Sequence, residues 1–280
     1  MEIKPLLTSP YEVKKILNNL DHRPSRKLGQ NYLIDSNVLD VIIISADLHK
    51  EDKILEIGPG LGSLTERILE TTNHLSCIEK DAKMVSYLEE RIPNLDIRLA
   101  DVLSVDLNDY FTKGINKVIA NLPYSISSRL MVEISECIVR PKYMHLMIQK
   151  EVAEKLLARP GTKSYGVLSV LISFFYDCSL CKNVSPKCFF PNPKVWSSII
   201  KMEKKEEIFF DSSEYPFIKK LIKYCFSQRR KQIATSLKNM KVKNAEDILL
   251  SLEISPKDRP EVLQPLQWVS LARRIQKNVQ

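Results

Sequence analysis

Lys53-Ile54-Leu55-Glu56-Ile57-Gly58-Pro59-Gly60-Leu61-Gly62 is a short β-rich run that breaks into a glycine cluster, and Ser63 to Glu70 beyond it reads as a helix. Strand, glycine loop, helix is the order that a nucleotide-type cofactor needs. Positions without side chains let the backbone approach the ligand, and the first N–H groups of the helix face its negative end. The glycine spacing is G-x-G-x-G, with Ser63 where a dinucleotide fingerprint has its third glycine, which counts against NAD. A second strand, His74 to Ile78, ends in Glu79, nineteen residues after Gly60. A carboxylate there accepts both hydroxyls of a ribose and repels a 2′-phosphate, so NADP is disfavoured.

The next unit repeats the logic. A helix around Met84 to Arg91 precedes a strand, Asp96 to Ala100, and then Asp101-Val102. An acid at that strand end can accept an adenine amino proton while Val102 packs on the ring; a surface acid capping the next turn is the competing reading. The fourth strand, Val118-Ile119-Ala120, runs into Asn121-Leu122-Pro123-Tyr124. Pro123 cannot donate to a ladder, so the strand stops there. A carboxamide, a stiff turn and an aromatic ring are left at a strand's C-terminal edge, where open α/β sheets bind ligands. The group suits a flat base with an exocyclic amine. Asn121 Oδ1 and a backbone carbonyl beside Pro123 can each accept one N–H, and Tyr124 can stack on the ring.

A fifth strand, Tyr143 to Ile148, leads into a helix near Val152 to Ala158, and β-rich runs at 174–184 and 195–202 complete the sheet. Between those runs, Cys188-Phe189-Phe190-Pro191-Asn192-Pro193-Lys194-Val195 is held extended around its prolines. A ring presented there, opposite Tyr124, would sandwich a base, and spacing leaves open whether Phe189 or Phe190 faces it. On the other side of the glycine loop, residues 1–27 carry a helical pattern through Val13, Ile16, Leu17 and Leu20. Gly29-Gln30-Asn31-Tyr32-Leu33 then forms a turn before an amphipathic stretch from Leu39 to Ala46, and its polar pair reads as a cap or as a lid over a ligand.

Composition shifts at Lys201-Met202-Glu203-Lys204-Lys205-Glu206-Glu207, a charged linker beyond which the pattern is helical. The boundary is expected near 205, with residues 1–205 forming an α/β domain and 206–280 a small helical one. Residues 201–280 hold 17 Lys and Arg against 10 Asp and Glu, which is +7 of the chain's net +8. So lopsided a charge suggests a polyanionic partner. Tyr224 to Asn239 reads as one helical stretch, with Phe226, Ile233 and Leu237 on one side and Gln228-Arg229-Arg230-Lys231 on another; Pro265 to Val279 is a final amphipathic helix.

The six cysteines have no secreted-framework spacing, and Cys178, Cys181 and Cys188 are one ligand short of a structural zinc site, so free thiols and no metal are expected. No apolar run reaches membrane-spanning length, and the N-terminal residues show no signal-peptide apolar segment. A cytoplasmic protein is expected.

Leu28-Gly29-Gln30-Asn31-Tyr32-Leu33, the Leu55–Gly62 loop, Asn121-Leu122-Pro123-Tyr124-Ser125-Ile126-Ser127 and Phe189-Phe190-Pro191-Asn192-Pro193-Lys194-Val195, in that order, resemble the 16S ribosomal RNA adenine N6-dimethyltransferase (RsmA/KsgA) family. Gln228-Arg229-Arg230-Lys231 and Arg259-Pro260-Glu261 resemble that family's C-terminal region. The resemblance implies a Rossmann-like seven-stranded sheet with a small C-terminal all-α domain, and S-adenosylmethionine as methyl donor. The implied substrate is a pair of adjacent adenosines in a hairpin near the 3′ end of 16S rRNA, within an immature small ribosomal subunit, and the enzyme is expected to be a monomer. Gln30, Asn31 and Leu33 would close over the cofactor, Gly58 and Gly60 would pass its methionine part, Glu79 its ribose, and Asp101 with Val102 its adenine. Asn121 would touch both cofactor and target amine. Phe189 takes the place of the family's phenylalanine, giving Asn121, Tyr124 and Phe189 the catalytic roles and Arg229, Arg230 and Lys231 the RNA contacts.

Leu28 and Tyr32 stand where phenylalanine is usual, and Trp196 replaces a small or acidic residue. Rival readings are a 23S rRNA methyltransferase of the resistance type, a non-catalytic RNA-binding relative and an NAD oxidoreductase. The intact Asn121–Tyr124 turn speaks against pure scaffolding, and the glycine spacing against the oxidoreductase.

Overall fold

The computed structural model describes residues 6–25 and 28–277. The chain opens with α1 (Pro10–Asn19), which buries Val13, Ile16 and Leu17 and is capped by Ser9, whose Oγ accepts from Glu12 N. A two-residue strand, β1 (Tyr32–Leu33), and α2 (Ser36–Ala46) follow. Then come β2 (Ile54–Ile57), α3 (Ser63–Leu69), β3 (Leu75–Glu79), α4 (Ala82–Arg91) and β4 (Asp96–Leu99). The alternation continues through α5 (Asn108–Phe111), β5 (Lys117–Asn121), α6 (Ser127–Ser135) and β6 (Tyr143–Gln149). After α7 (Lys150–Leu156) and α8 (Val167–Ser173) the chain adds β7 (Tyr176–Val184), β8 (Phe189–Phe190) and β9 (Ser197–Lys204). It ends in α9 (Tyr215–Ser227), α10 (Ile233–Asn239), α11 (Ala245–Leu250) and α12 (Pro265–Lys277).

Seven strands form one sheet in the order β4-β3-β2-β5-β6-β9-β7. The run from β4 to β6 is parallel, and β9 lies antiparallel to β6. Strand order reverses between β2 and β5, so the crevice outside their carboxyl ends is the place where such sheets hold ligands. All four residues of β2 are buried, as in a central parallel strand, whereas β4 is an edge whose Leu99 is exposed. A second, two-stranded sheet pairs β1 with β8, Leu33 opposite Phe189 and Tyr32 opposite Phe190.

One buried ammonium holds the lower end of this sheet. Lys117 Nζ donates to the Ala46 and Asp47 carbonyls at 2.9 and 2.6 Å and to Asp52 Oδ2 at 2.7 Å. It thereby satisfies the last carbonyls of α2. Burial alone would raise the Asp52 carboxyl, but hydrogen bonds from Lys117, His49 N and Asn116 hold it below its usual value.

The chain divides into two compact units, one from the N-terminal part through Ala153 plus Cys178–Lys204, the other Glu154–Asp177 plus everything from Lys205. Residues 154–177, placed by the sequence pattern in the α/β part, group with the helices beyond Lys205. Tyr165 Oη donates to Leu263 O at 3.0 Å and Gly161 N to Glu261 O at 2.7 Å, contacts too distant in sequence to foresee. The charged run at 201 also differs from expectation, because β9 extends through Lys204. Ile200 and Met202 are fully buried, while Lys201 and Glu203 pair with each other at 3.1 Å, the alternation of a half-buried strand.

The stretch from Tyr224 to Asn239 is not one helix. It breaks at Gln228 and resumes at Ile233, because Ile233 N and Ala234 N donate to Asp258 O and Pro256 O and so begin a new helix. Gln228-Arg229-Arg230-Lys231 therefore occupies a turn, closed by Lys231 N on Gln228 O at 2.8 Å.

Candidate cofactor cleft and active site

The glycine loop between β2 and α3 turns through left-handed backbone at Gly58, Gly60 and Gly62. At Gly60 the need for glycine is double: φ is +58°, and a Cβ would stand 3.1 Å from the Tyr32 ring. Gly60 N donates to Glu79 Oε2 at 3.1 Å, and Lys80 N and Asp81 N donate to Oε1 at 2.7 and 2.9 Å. Burial raises the Glu79 carboxyl above its ordinary value, against the pull of these three N–H groups. Two carboxylate oxygens offer about four lone-pair sites, so acceptor capacity remains for a ribose diol. One strand further out, Asp101 accepts from Lys80 Nζ at 2.7 Å and Leu103 N at 3.1 Å, and the lysine holds its carboxyl below the usual range. Val102 is buried beside it.

Asn121 is the last residue of β5, and Leu122 N on Met147 O, 3.1 Å, follows it before Pro123 ends the ladder. Asn121 Nδ2 donates to Asn31 O at 3.0 Å, so one amide hydrogen is engaged by the protein and this bond turns the nitrogen end toward Asn31, leaving Oδ1 as an acceptor. Tyr124 Oη and Ser197 Oγ are 2.8 Å apart, which fixes the half-buried ring, and burial raises its phenol. The segment before β1 lies against this turn: Gly29 has φ +67°, and a Cβ on it would come 3.3 Å from Pro123 Cβ.

Gln30 anchors that segment. Its Nε2 donates to Asp81 Oδ2 at 2.8 Å, and its Oε1 accepts from Ser25 N at 2.8 Å and lies 3.1 Å from His22 Nε2. Lys83 Nζ adds bonds to the Leu20 and Asp21 carbonyls, tying the residues after α1 to the start of α4. The Asn31 side chain donates to Gly29 O at 3.1 Å, so Asn31 meets Asn121 through its carbonyl.

Gln30, Asn31, Leu33, Gly58, Gly60, Glu79, Asp101, Val102, Asn121 and Tyr124 thus line one cleft. Phe189 does not. It has no exposed surface and packs with Leu33, Val38, Leu39 and Ile199 in the core, because pairing of β8 with β1 turns it inward. The expected sandwich of a base between Tyr124 and Phe189 is absent from this arrangement. Phe190 packs beside Tyr32, Leu61 and Met84. Of the basic triplet, Arg230 and Lys231 are exposed, but Arg229 donates to Glu261 at 2.5 Å and to Lys163 O at 2.6 Å. Arg229 is thus bound into the helical unit itself.

Sequence reasoning passed over two residues of the cleft. Glu56 is 1 % exposed; Thr65 Oγ1 donates to it at 2.7 Å, and burial pushes its carboxyl up to about 8 against the Thr65 and Cys77 hydrogen bonds. An acid inside an otherwise apolar strand was the available signal. Lys80, which orders Asp101, carried none beyond its place after Glu79.

One side of the cleft offers acceptors for a nucleoside's hydroxyls and amine, and the other a carboxamide acceptor for a second amine. A nucleoside-bearing methyl donor fits that donor set, and sheet and cleft together define a methyltransferase that uses S-adenosylmethionine. The chain belongs to the family described as ribosomal RNA adenine dimethylase, whose model matches residues 21–277. It is 35% identical to a ribosomal RNA small subunit methyltransferase A of Halothermothrix orenii, covering 96% of this chain and 94% of that one. The like-named protein of Syntrophotalea carbinolica is 38% identical, over 92% and 98%. Among solved structures, a dimethyladenosine transferase from Plasmodium falciparum superposes with a TM-score of 0.78 at 28% identity, covering 88% and 98%. The 23S rRNA methyltransferase ErmE shares the fold, with a TM-score of 0.65 at 23% identity over 87% and 99%. No helix among the described residues is long and apolar enough to cross a membrane.

Proposed function

We propose that this enzyme dimethylates N6 of two adjacent adenosines in a hairpin near the 3′ end of 16S rRNA, within immature small ribosomal subunits, acting as a cytoplasmic monomer. The observation that carries the reading is the Asn121 carboxamide, with its nitrogen bound to Asn31 O and its oxygen left as an acceptor at the cleft. The small-subunit target rests on the names of the relatives in Halothermothrix and Syntrophotalea.

When bound, S-adenosylmethionine supplies an electrophilic methyl group; Gln30, Asn31, Leu33, Gly58, Gly60, Glu79, Asp101 and Val102 are the residues to hold it. The N6 lone pair of adenine is delocalised into its ring, so the amine is a poor nucleophile. Asn121 Oδ1 takes one amine proton. We assign the other to the Leu122 carbonyl, because the Pro123 carbonyl already closes the turn onto Ile126 N at 3.2 Å. Two acceptors favour a pyramidal nitrogen and free its lone pair for attack. No base is needed beforehand, since the proton turns acidic only as the nitrogen gains charge. Catalysis is then positioning and electrostatics. Tyr124, fixed by Ser197, stacks on the extruded base and offsets a few kcal/mol of unstacking. Arg230 and Lys231 are the exposed cations we assign to the RNA backbone.

Labelled S-adenosylmethionine incubated with under-methylated 30S particles, or with naked rRNA, tests this by mapping the modified adenosines. Two adjacent dimethyladenosines near the 16S 3′ end are expected; label confined to 23S rRNA, or none, overturns it.

A further inference from the structure

Trp196 is a large apolar side chain left in water one residue before Ser197. It is 51 % exposed, Val195 before it is 43 % exposed, and Ser197 after it is sealed and holds Tyr124 Oη at 2.8 Å. Consecutive Cα atoms are about 3.8 Å apart, so Trp196 starts one residue from the group that fixes the stacking tyrosine. Its carbonyl accepts from Lys150 N at 2.9 Å, where β6 ends and α7 begins, which puts it at the carboxyl edge of the sheet along with Asn121. Lys150, whose N–H meets the Trp196 carbonyl, and Lys194, two residues before it, are both exposed. An aromatic face between cations is what single-stranded RNA stacks on, and stacking takes any base.

We infer that Trp196, flanked by Lys150 and Lys194, is a positioning residue that stacks on the nucleobase adjoining the extruded adenosine and sets the register of the RNA at Asn121. This rests on the reading above and adds a contact to it. A neighbour held in place keeps the backbone from following the flipped base. Trp196 acts on RNA binding, and it is not among the residues that line the cofactor cleft.

The test uses the full-length enzyme, S-adenosylmethionine and a hairpin RNA carrying two adjacent adenosines. The chain has two tryptophans, and Trp268 is fully buried, so a nucleobase can reach only Trp196. RNA should quench the tryptophan emission, and Trp196→Phe should abolish that quenching. Trp196→Ala should raise KM for RNA about tenfold, with kcat and KM for S-adenosylmethionine near wild type, and Trp196→Phe should recover most of the loss. An abasic site next to the target should raise KM for the wild type and leave Trp196→Ala unmoved. Unchanged RNA affinity in Trp196→Ala, or penalties that add, overturns the stacking role while wild-type methylation still upholds the enzyme assignment. A wild type that methylates no adenosine overturns both.

Discussion

The Asn121 carboxamide nitrogen donates to the Asn31 carbonyl oxygen at 3.0 Å, ninety residues away in sequence. This single bond orients the amide, because it fixes which end of a nearly symmetric group is offered to the ligand. Asn121→Ala should lower kcat for methyl transfer roughly 10²-fold or more, the scale for removing one preorganised hydrogen-bonding group. Cofactor affinity should change only a few-fold, read by calorimetry. Near-normal turnover would remove Asn121 from the chemistry.

Glu79 gathers three backbone N–H groups, including one from the glycine loop. Glu79→Ala should weaken S-adenosylmethionine binding by about tenfold or more, through the lost ribose acceptor and the loosened loop. Lys80→Ala, which only frees Asp101, should cost less. Equal losses in the two variants would argue against a direct ribose contact by Glu79.

The buried Glu56 makes stability depend on pH in a defined direction. Its carboxyl is raised from an ordinary value of 4.5 to about 8 in the fold, so the folded state holds a proton that the unfolded chain releases. That contribution is complete below about 4.5 and is lost as pH rises through about 8, a change on the order of a few kcal/mol. Urea unfolding between pH 5 and 9 should show stability falling with pH. Glu56→Gln, which keeps the neutral shape, should flatten the curve; a slope unchanged in Glu56→Gln would assign it to another group.

The basic turn separates into two behaviours. Replacing Arg230 and Lys231 with glutamine should reduce the slope of log K against log salt for RNA binding by about 1.5. Arg229→Gln should leave that slope nearly unchanged and instead lower the stability of the helical unit by about 1 kcal/mol, as expected for a partly exposed pair with Glu261. An equal loss of salt slope on replacing Arg229 would return it to the RNA surface.

Most of the cleft could be read from the sequence because its groups are short in range. A glycine that must turn left-handed, an acid that ends a strand and a proline that stops one each leave a local mark, as Gly60, Glu79 and Pro123 do. What stayed hidden depends on partners far along the chain. Phe189 faces the core because β8 pairs with β1 more than 150 residues earlier in sequence, and no spacing within 188–195 reports that. Arg229 belongs to Glu261 and the Lys163 carbonyl, so a run of charge that looked uniform contains one structural member. Glu56 was overlooked because a carboxyl in an apolar run shows its environment only once Thr65 and Cys77 are folded around it.

The ribbon in which Leu33 pairs with Phe189 and Tyr32 with Phe190 makes one strap out of two loops far apart in the chain. Its first half lines the cleft, and its second half leads through Pro191 and Pro193 to Trp196. Dimethylation consumes two donor molecules for each adenine nitrogen, so the spent donor leaves between the two transfers. Because the two loops are paired in one strap, lesions in either should be sought in the ratio of mono- to dimethylated product as well as in the rate.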